Sequence, residues 1–355
     1  MSIYDQTFPR FNLTDYFKEV FGSPASEQIL YHYTSMDSFY HIAKNQSIWM
    51  TEVSYLNDVK EHTYGVGIAI EAAEEYIQNR EYKSLNSSYS EEYYKMVVKC
   101  LEDNVISLLR RYNRDETYLD FSYYSQLPKV RQSNLFIFSL SAERNSLSQW
   151  IAYSGEGGVS IGFDHSQVLS SLEKGTAFRI SRCEYDPAKQ KEIIKGILNL
   201  QVNQINCEAK GSTKPGCDGY VEGYAEHEGY CVDYIMQLAS MFKNKAFKHE
   251  NECRIVAFIN KDSFESHPEQ YPVDFRVKGG LMIPYLNLQF GESQDNSAII
   301  DSYKVSTSLK SIVTHLMLGP SKEPRLALKS IEAFSRKYLD DFVIIEYTDI
   351  PFIYR

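Results

Sequence analysis

Short apolar runs with strand spacing alternate along this chain with long stretches of helical spacing. "ILYHYT" (29–34) predicts a strand, 36–44 a helix, and "SIWMTEV" (47–53) a second strand. Apolar residues three and four positions apart predict two long helices, near 60–80 and 90–112, with the polar loop "EYKSLNSSYS" between them. Strand texture returns at "NLFIFSLS" (134–141) and "GGVSIGF" (157–163), on either side of a short helix over "NSLSQWIAYS". A helix over 186–210 opens at an Asp-Pro pair, and "GYCVDYIMQLASMFKNK" predicts another after the loop "GSTKPGCDGYVEG". Strand-like segments follow at 252–259, 271–290 and 312–320, then a helix over 323–338 and a last strand at 342–348. No repeat, low-complexity tract or long linker interrupts this order. The pattern predicts one α+β domain over 1–355, an antiparallel sheet with helical insertions at about 59–133 and 185–245.

Composition narrows the classes of function. A chain of 355 residues with 43% hydrophobic content can bury a large core. Its net charge of −10 argues against non-specific binding to long nucleic acid, which needs a phosphate-neutralising surface. The first residues have no basic start and no apolar core of a secretory signal, and no run approaches the roughly 18 apolar residues of a membrane span. The six cysteines show neither CxxC nor zinc spacing. The expectation is a cytoplasmic protein with reduced thiols, no membrane and no metal.

Four clusters carry candidate chemistry. In "YHYTS", His32 and Thr34 share one strand face and Tyr31 and Tyr33 the other; imidazole beside a hydroxyl can hold a sugar diol, and equally can be a satisfied structural pair. Asn57, Asp58 and Glu61 have the spacing of a helix cap, which favours a shaped strand-to-helix corner. Ser139 and Ser141 alternate with Phe138 and Leu140 on a strand, and Trp150 and Tyr153 stand three apart on the short helix that follows. Those aromatics either wall a planar ligand or belong to the core. The glycines after them do not form a dinucleotide-binding fingerprint, because no strand precedes them and no helix follows.

The fourth cluster, "KNKAFKHENECRIVAFIN" (243–260), places Glu250, Glu252 and Arg254 at every second position ahead of an apolar strand. Strand periodicity puts all three on one face. Two adjacent buried carboxylates repel unless cations relieve them. Either Arg254 and Lys248 complete an ion network, or a catalytic glutamate and its helper face a cleft. The residues alone leave both open.

Taken in order, "LYHYTS", "IWMTEVSYLNDVKE", "FSLS…SLSQWIAYSGEGGVSIGFD", "K-x3-F-x2-E-N-E-C-R-I" and "SIVTHLMLGP" resemble a bacterial domain-of-unknown-function family (number twenty-nine seventy-one) from about Leu30 onward. Phe247 stands where that family often has tryptophan. The family in turn resembles the ADP-ribosyltransferase superfamily, in which a histidine on a first strand, a hydroxyl or aromatic motif and a later glutamate surround NAD. That resemblance implies a split antiparallel sheet and an NAD-consuming transferase acting on a protein or RNA acceptor. It also implies a toxin or phage-defence role, with an inhibitor or antitoxin protein as a further partner. It assigns His32 to the ribose hydroxyls, Thr34 or Ser139 to the nicotinamide ribose or amide, Ser139 and Ser141, or Tyr153, to the middle motif, and Trp150 or Tyr153 to stacking. Glu252 falls to the ribose and its developing positive charge, Glu250 to the acceptor, and Arg254 to the diphosphate or to Glu252. Hydrolysis of NAD by water and non-catalytic nucleotide binding are the alternatives.

Overall fold

The computed structural model describes residues 13–21, 29–56, 59–85, 89–113, 133–172, 178–211, 231–260, 264, 266–291, 303–305 and 307–351. The expected cap at Asn57 and Asp58 lies outside them. The chain forms two compact units, one of residues 1–22, 63–130 and 186–240, the other of 23–62, 131–185 and 241–355.

The first unit draws on the stretches expected as insertions, and its described residues are helical. Helices Leu13–Phe21, Val59–Gln78, Glu91–Cys100, Ser107–Asn113 and Pro187–Gly211 carry it, the second of them starting just before the unit begins, with a further helix over 231–239. The expected 90–112 helix is interrupted by a π-helical stretch, Leu101–Ile106. Small residues Ala69, Ala72 and Ala73 beside Tyr76, and Ile194 and Leu198 on the long helix, are buried, the sign of helices packed on apolar stripes. Lys191 reaches Glu71 and Glu75 across 3.0 and 2.7 Å, and the Tyr76 hydroxyl donates to Asn199.

The second unit is a large, mostly antiparallel sheet with helices. Its strands are β1 (Ile29–Thr34), β2 (Ser47–Glu52), β3 (Ser133–Ser141), β4 (Val159–Asp164), β5 (Phe178–Arg182), β6 (Glu252–Asn260), β7 (Val273–Lys278), β8 (Leu281–Phe290), β9 (Lys304–Val305), β10 (Val313–Leu318) and β11 (Ile344–Tyr347). The order is β11-β10-β4-β1-β3-β2-β8-β7, with β6 on β3, β5 on β6 and β9 on β8. Among the described strands, β10–β11 and β8–β9 pair in parallel and the other pairs are antiparallel. One face of the sheet buries a continuous core including Leu30, Phe136, Phe138, Leu140, Ile161, Ile255, Leu286 and Leu316. A smaller cluster of Tyr31, Tyr33, Trp150 and Met317 lies apart from it.

Strand β3 decides where a site can sit. It pairs with β6 along its whole length, from Ser133↔Asn260 to Ser141↔Glu252. Its opposite edge is divided: β2 meets it at Phe136 and Ile137, and β1 meets it only at Tyr31↔Ser141. Beyond that rung the sheet opens between β1 and β3.

Candidate functional site

The site grows from a single left-handed residue. A 3-10 turn, Lys245–Glu250, is capped at its start by Asn244, whose side chain accepts from the Ala246 N–H at 3.0 Å. It ends at Asn251, with φ 43° and ψ 51°, a conformation asparagine tolerates better than most residues. β6 begins only after that bend. Glu250 is therefore not a strand residue, and the expected row of three charges on one strand face is corrected to two, Glu252 and Arg254. The bend nevertheless brings the Glu250 carboxylate beside that of Glu252, because both accept from the Lys243 ammonium.

Lys243 is the cation that pattern reading did not supply. The expected partner, Lys248, is exposed. Lys243 is only 4% exposed; its N–H donates to the Glu184 carbonyl at 3.0 Å, and its ammonium lies 5.4 Å from the centre of the Phe247 ring. Arg254, 2% exposed, donates from Nε to Glu252 Oε1 at 2.8 Å and from Nη2 to Oε2 at 3.2 Å. Two cations and two carboxylates thus form a buried, formally neutral quartet. Burial by itself pushes the Glu252 carboxyl upward, but Arg254 and then Lys243 outweigh it and hold it at about 2. Glu252 stays ionised at neutral pH: it can stabilise positive charge but has no proton to give. The Glu252 N–H donates to the Tyr185 hydroxyl at 2.9 Å, and the Glu250 carbonyl accepts from the Ser141 hydroxyl at 2.6 Å.

A small cleft of about 40 Å³ lies where β1 and β3 separate, lined by Tyr31, His32, Tyr33, Ser139, Leu140, Gln149, Tyr153, Glu250 and Glu252. Of the residues nominated from sequence, it brings together His32, Ser139, Tyr153, Glu250 and Glu252. Arg254 stands behind Glu252. Ser141 is buried and holds the turn, through Glu250 on one side and the Glu143 N–H, 3.0 Å away, on the other. Thr34 is buried on β1 opposite Val159 and does not line the cleft.

Trp150 does not reach the cleft either. It is fully buried, donates its indole N–H to Asn145 Oδ1 at 2.8 Å, and packs edge-on against Tyr33 at 4.8 Å. The expectation that it stacks on a ligand ring is corrected: it belongs to the smaller apolar cluster, while Tyr153, 39% exposed, stays on the cleft wall. Behind them the chain turns so tightly that a Cβ on Gly158 would collide with the backbone oxygens of Ser154 and Thr34.

The register also shows which β1 face meets the carboxylates. Tyr31 opposes Ser141, and Ser141 opposes Glu252, so these three side chains share a face. His32 alternates to the other face and stacks on Phe138 at 4.2 Å. It spans the strand gap from there, with Nδ1 2.9 Å from the Ser139 carbonyl oxygen. A carbonyl can only accept, so Nδ1 carries the proton and Nε2 offers a lone pair. Burial, opposed by the Ser139 bond and assisted by Arg276, lowers the imidazole to about 4, so it is neutral at physiological pH.

Sequence reasoning missed Lys243, Tyr31 and Gln149. The first letter of "K-x3-F-x2-E-N-E-C-R-I" is Lys243, so the signal was present without a charge count to use it. Among the described residues no cluster of three His, Cys, Asp or Glu side chains could hold a metal ion, and no helix is long and apolar enough to cross a membrane. A family model described as "Protein of unknown function (DUF2971)" matches residues 149–255, a stretch that runs from the Gln149 and Tyr153 wall of the cleft to Glu250, Glu252 and Arg254. No curated protein and no solved structure matches the chain.

Proposed function

We propose that the cleft binds the nicotinamide-ribose half of NAD and that the protein transfers ADP-ribose to a macromolecular acceptor. One observation carries the reading: His32, Ser139, Tyr153, Glu250 and Glu252, from four separate segments, line the same cleft. The bond from ribose C1′ to the pyridinium nitrogen breaks with its electron pair leaving on nicotinamide, which departs neutral. Positive charge then gathers on C1′ and the ring oxygen, as in glycoside cleavage. Glu252 is a fixed anion beside that charge, and such preorganised electrostatics is worth most where water is excluded. His32 Nε2 accepts from a ribose hydroxyl, and Tyr153 flanks the planar ring. The acceptor's nucleophile bonds to C1′ and gives its proton to Glu250.

The test is incubation with labelled NAD and protein or RNA acceptors, with Glu252→Gln as control. Label on an acceptor that disappears in the variant supports transfer; free ADP-ribose without an acceptor moves the assignment to hydrolysis. Intact NAD and unlabelled acceptors refute both. A non-catalytic reading has its own support, since both Glu252 oxygens already bond to Arg254 and Lys243. Thermal stabilisation by NAD without turnover identifies it.

A further inference from the structure

The sheet ends at β7, and nothing among the described residues pairs with that strand's outer edge. Exposed long edges are templates for pairing, and proteins normally blunt them with charge, proline or a covering element. Here the β7–β8 hairpin turns on Gly279 and Gly280, both at positive φ (61° and 80°), as a two-residue turn requires. Beside that turn Phe275 is 58% exposed, Val277 76%, Leu281 57% and Met282 71%. Val277 opposes Met282, so Phe275, Val277 and Met282 share one face and present roughly 400 Å² of surface, a patch of the size that marks interaction sites on soluble proteins, with Leu281 on the other face.

The strand is complementary to itself. In a two-residue hairpin the residues flanking the turn, Lys278 and Leu281, exchange the ladder bonds, so Arg276 and Asp274 also bond inward. Phe275 and Val277 then direct their backbone groups to the free edge. In the isolated chain the Phe275 N–H is taken by the neighbouring Asp274 carboxylate at 2.7 Å, which fits an amide left outside the ladder. Placed antiparallel about Phe275, two copies of Val273–Val277 oppose Val273 with Val277, Phe275 with itself, and Asp274 with Arg276 twice. The register centred one residue later sets Arg276 against Arg276, and like charges directly opposite are destabilising.

We propose that this chain self-associates through β7, two copies joining antiparallel about Phe275 into one continuous sheet. In the isolated chain Arg276 donates from Nη2 to the Thr51 hydroxyl at 2.8 Å, and Asp274 also accepts from the Tyr285 hydroxyl at 3.3 Å. On association Arg276 exchanges Thr51 for the partner's Asp274, and the freed Phe275 amide donates to the partner's Phe275 carbonyl. Pairing of two short edge strands falls below the standard size of stable interfaces, in the class of weak, transient contacts.

Sedimentation equilibrium of the full chain between about 1 and 200 µM tests this. Wild type is expected to shift from monomer to dimer. Asp274→Arg and Arg276→Asp, each alone, are expected to weaken the dimer at least about tenfold, because each opposes like charges twice. An equimolar mixture of the two variants is expected to associate again, since all cross-strand pairs become opposite, an outcome that a folding defect would not give. Phe275→Cys is expected to form an intermolecular disulfide under mild oxidation, since bonded antiparallel partners stand about 5.5 Å apart at Cα. A wild type that stays monomeric across the range, or a dimer indifferent to the single charge reversals, overturns the proposal.

Discussion

Replacing Lys243 with methionine keeps the length and most of the volume of the side chain while removing its charge. The buried quartet then holds one cation and two carboxylates, with Arg254 committed to Glu252 through two bonds. Breaking a buried ion pair by deleting one partner typically costs about 3–5 kcal/mol, because the charge left behind stays out of water. The loss should be read in the sheet unit alone. Both tryptophans of the chain, Trp49 and Trp150, lie in that unit, so their fluorescence reports its unfolding. With a urea slope of about 2.5 kcal/mol per molar, a cost of about 4 kcal/mol lowers the midpoint by roughly 1.5 M at pH 7.5. The pH dependence has a definite sign. A carboxylate that has lost its cation rises in pKa and takes up a proton as pH falls, which relieves the variant but not the wild type. The gap between them is therefore expected to narrow from pH 7.5 to pH 5. Lys243→Met with Glu250→Gln restores neutrality and should recover at least half of the loss. A midpoint change below about 0.3 M, a gap independent of pH, or a double variant no better than the single one would refute the quartet as the element that stabilises this corner.

Three further outcomes follow from the same geometry. His32 sits below its ordinary value in the folded protein, so its contribution to stability is full above about pH 6.5 and is lost as pH falls toward 4; His32→Gln should flatten urea midpoints measured across that window. Glu252→Gln should abolish turnover of NAD, whereas Glu250→Gln should slow transfer to the acceptor while leaving NAD binding in place, separated by turnover assays and equilibrium titration. Trp150→Ala should cost about 3–5 kcal/mol of stability through the cavity it leaves, while Tyr153→Ala should cost less than about 1 kcal/mol yet weaken NAD binding, a contrast that calorimetry and thermal unfolding resolve.

Strands β1, β2, β3, β4 and β6 were legible to within a few residues because each is an apolar or alternating run with clear ends. The stretch 271–290 is in fact a hairpin. Its Gly279-Gly280 pair was the available mark, since only a turn needs two consecutive residues at positive φ. β5, "FRISR", carries no apolar run because polar residues interrupt it, and β9 has only two residues, so neither has a strand signature. Periodicity also misplaced Glu250: alternation holds only while the backbone stays extended, and one left-handed residue at Asn251 ends it without a sequence period of its own. Lys243 shows the other limit. It reaches Glu252 through a turn and a bend, so neither strand nor helix spacing relates the two.

The junction of β1 with β3 has a mechanical meaning. Strands β11, β10, β4 and β1 form one leaf, and among the described residues they join the rest of the sheet's ladder at the rung Tyr31↔Ser141, with the His32 imidazole as a side-chain tie beside it. A full ladder resists separation through many rungs at once, so its edges move together. Here the backbone seam is one rung wide, and side chains carry the rest: the His32 imidazole on Ser139, and the Tyr33 hydroxyl, which donates to the Glu143 carbonyl at 2.6 Å and accepts from the Ser146 N–H at 3.0 Å. Behind the seam the His32 ring stacks on Phe138 in the main core, so the resistance of this junction to separation rests on side-chain packing rather than on a ladder.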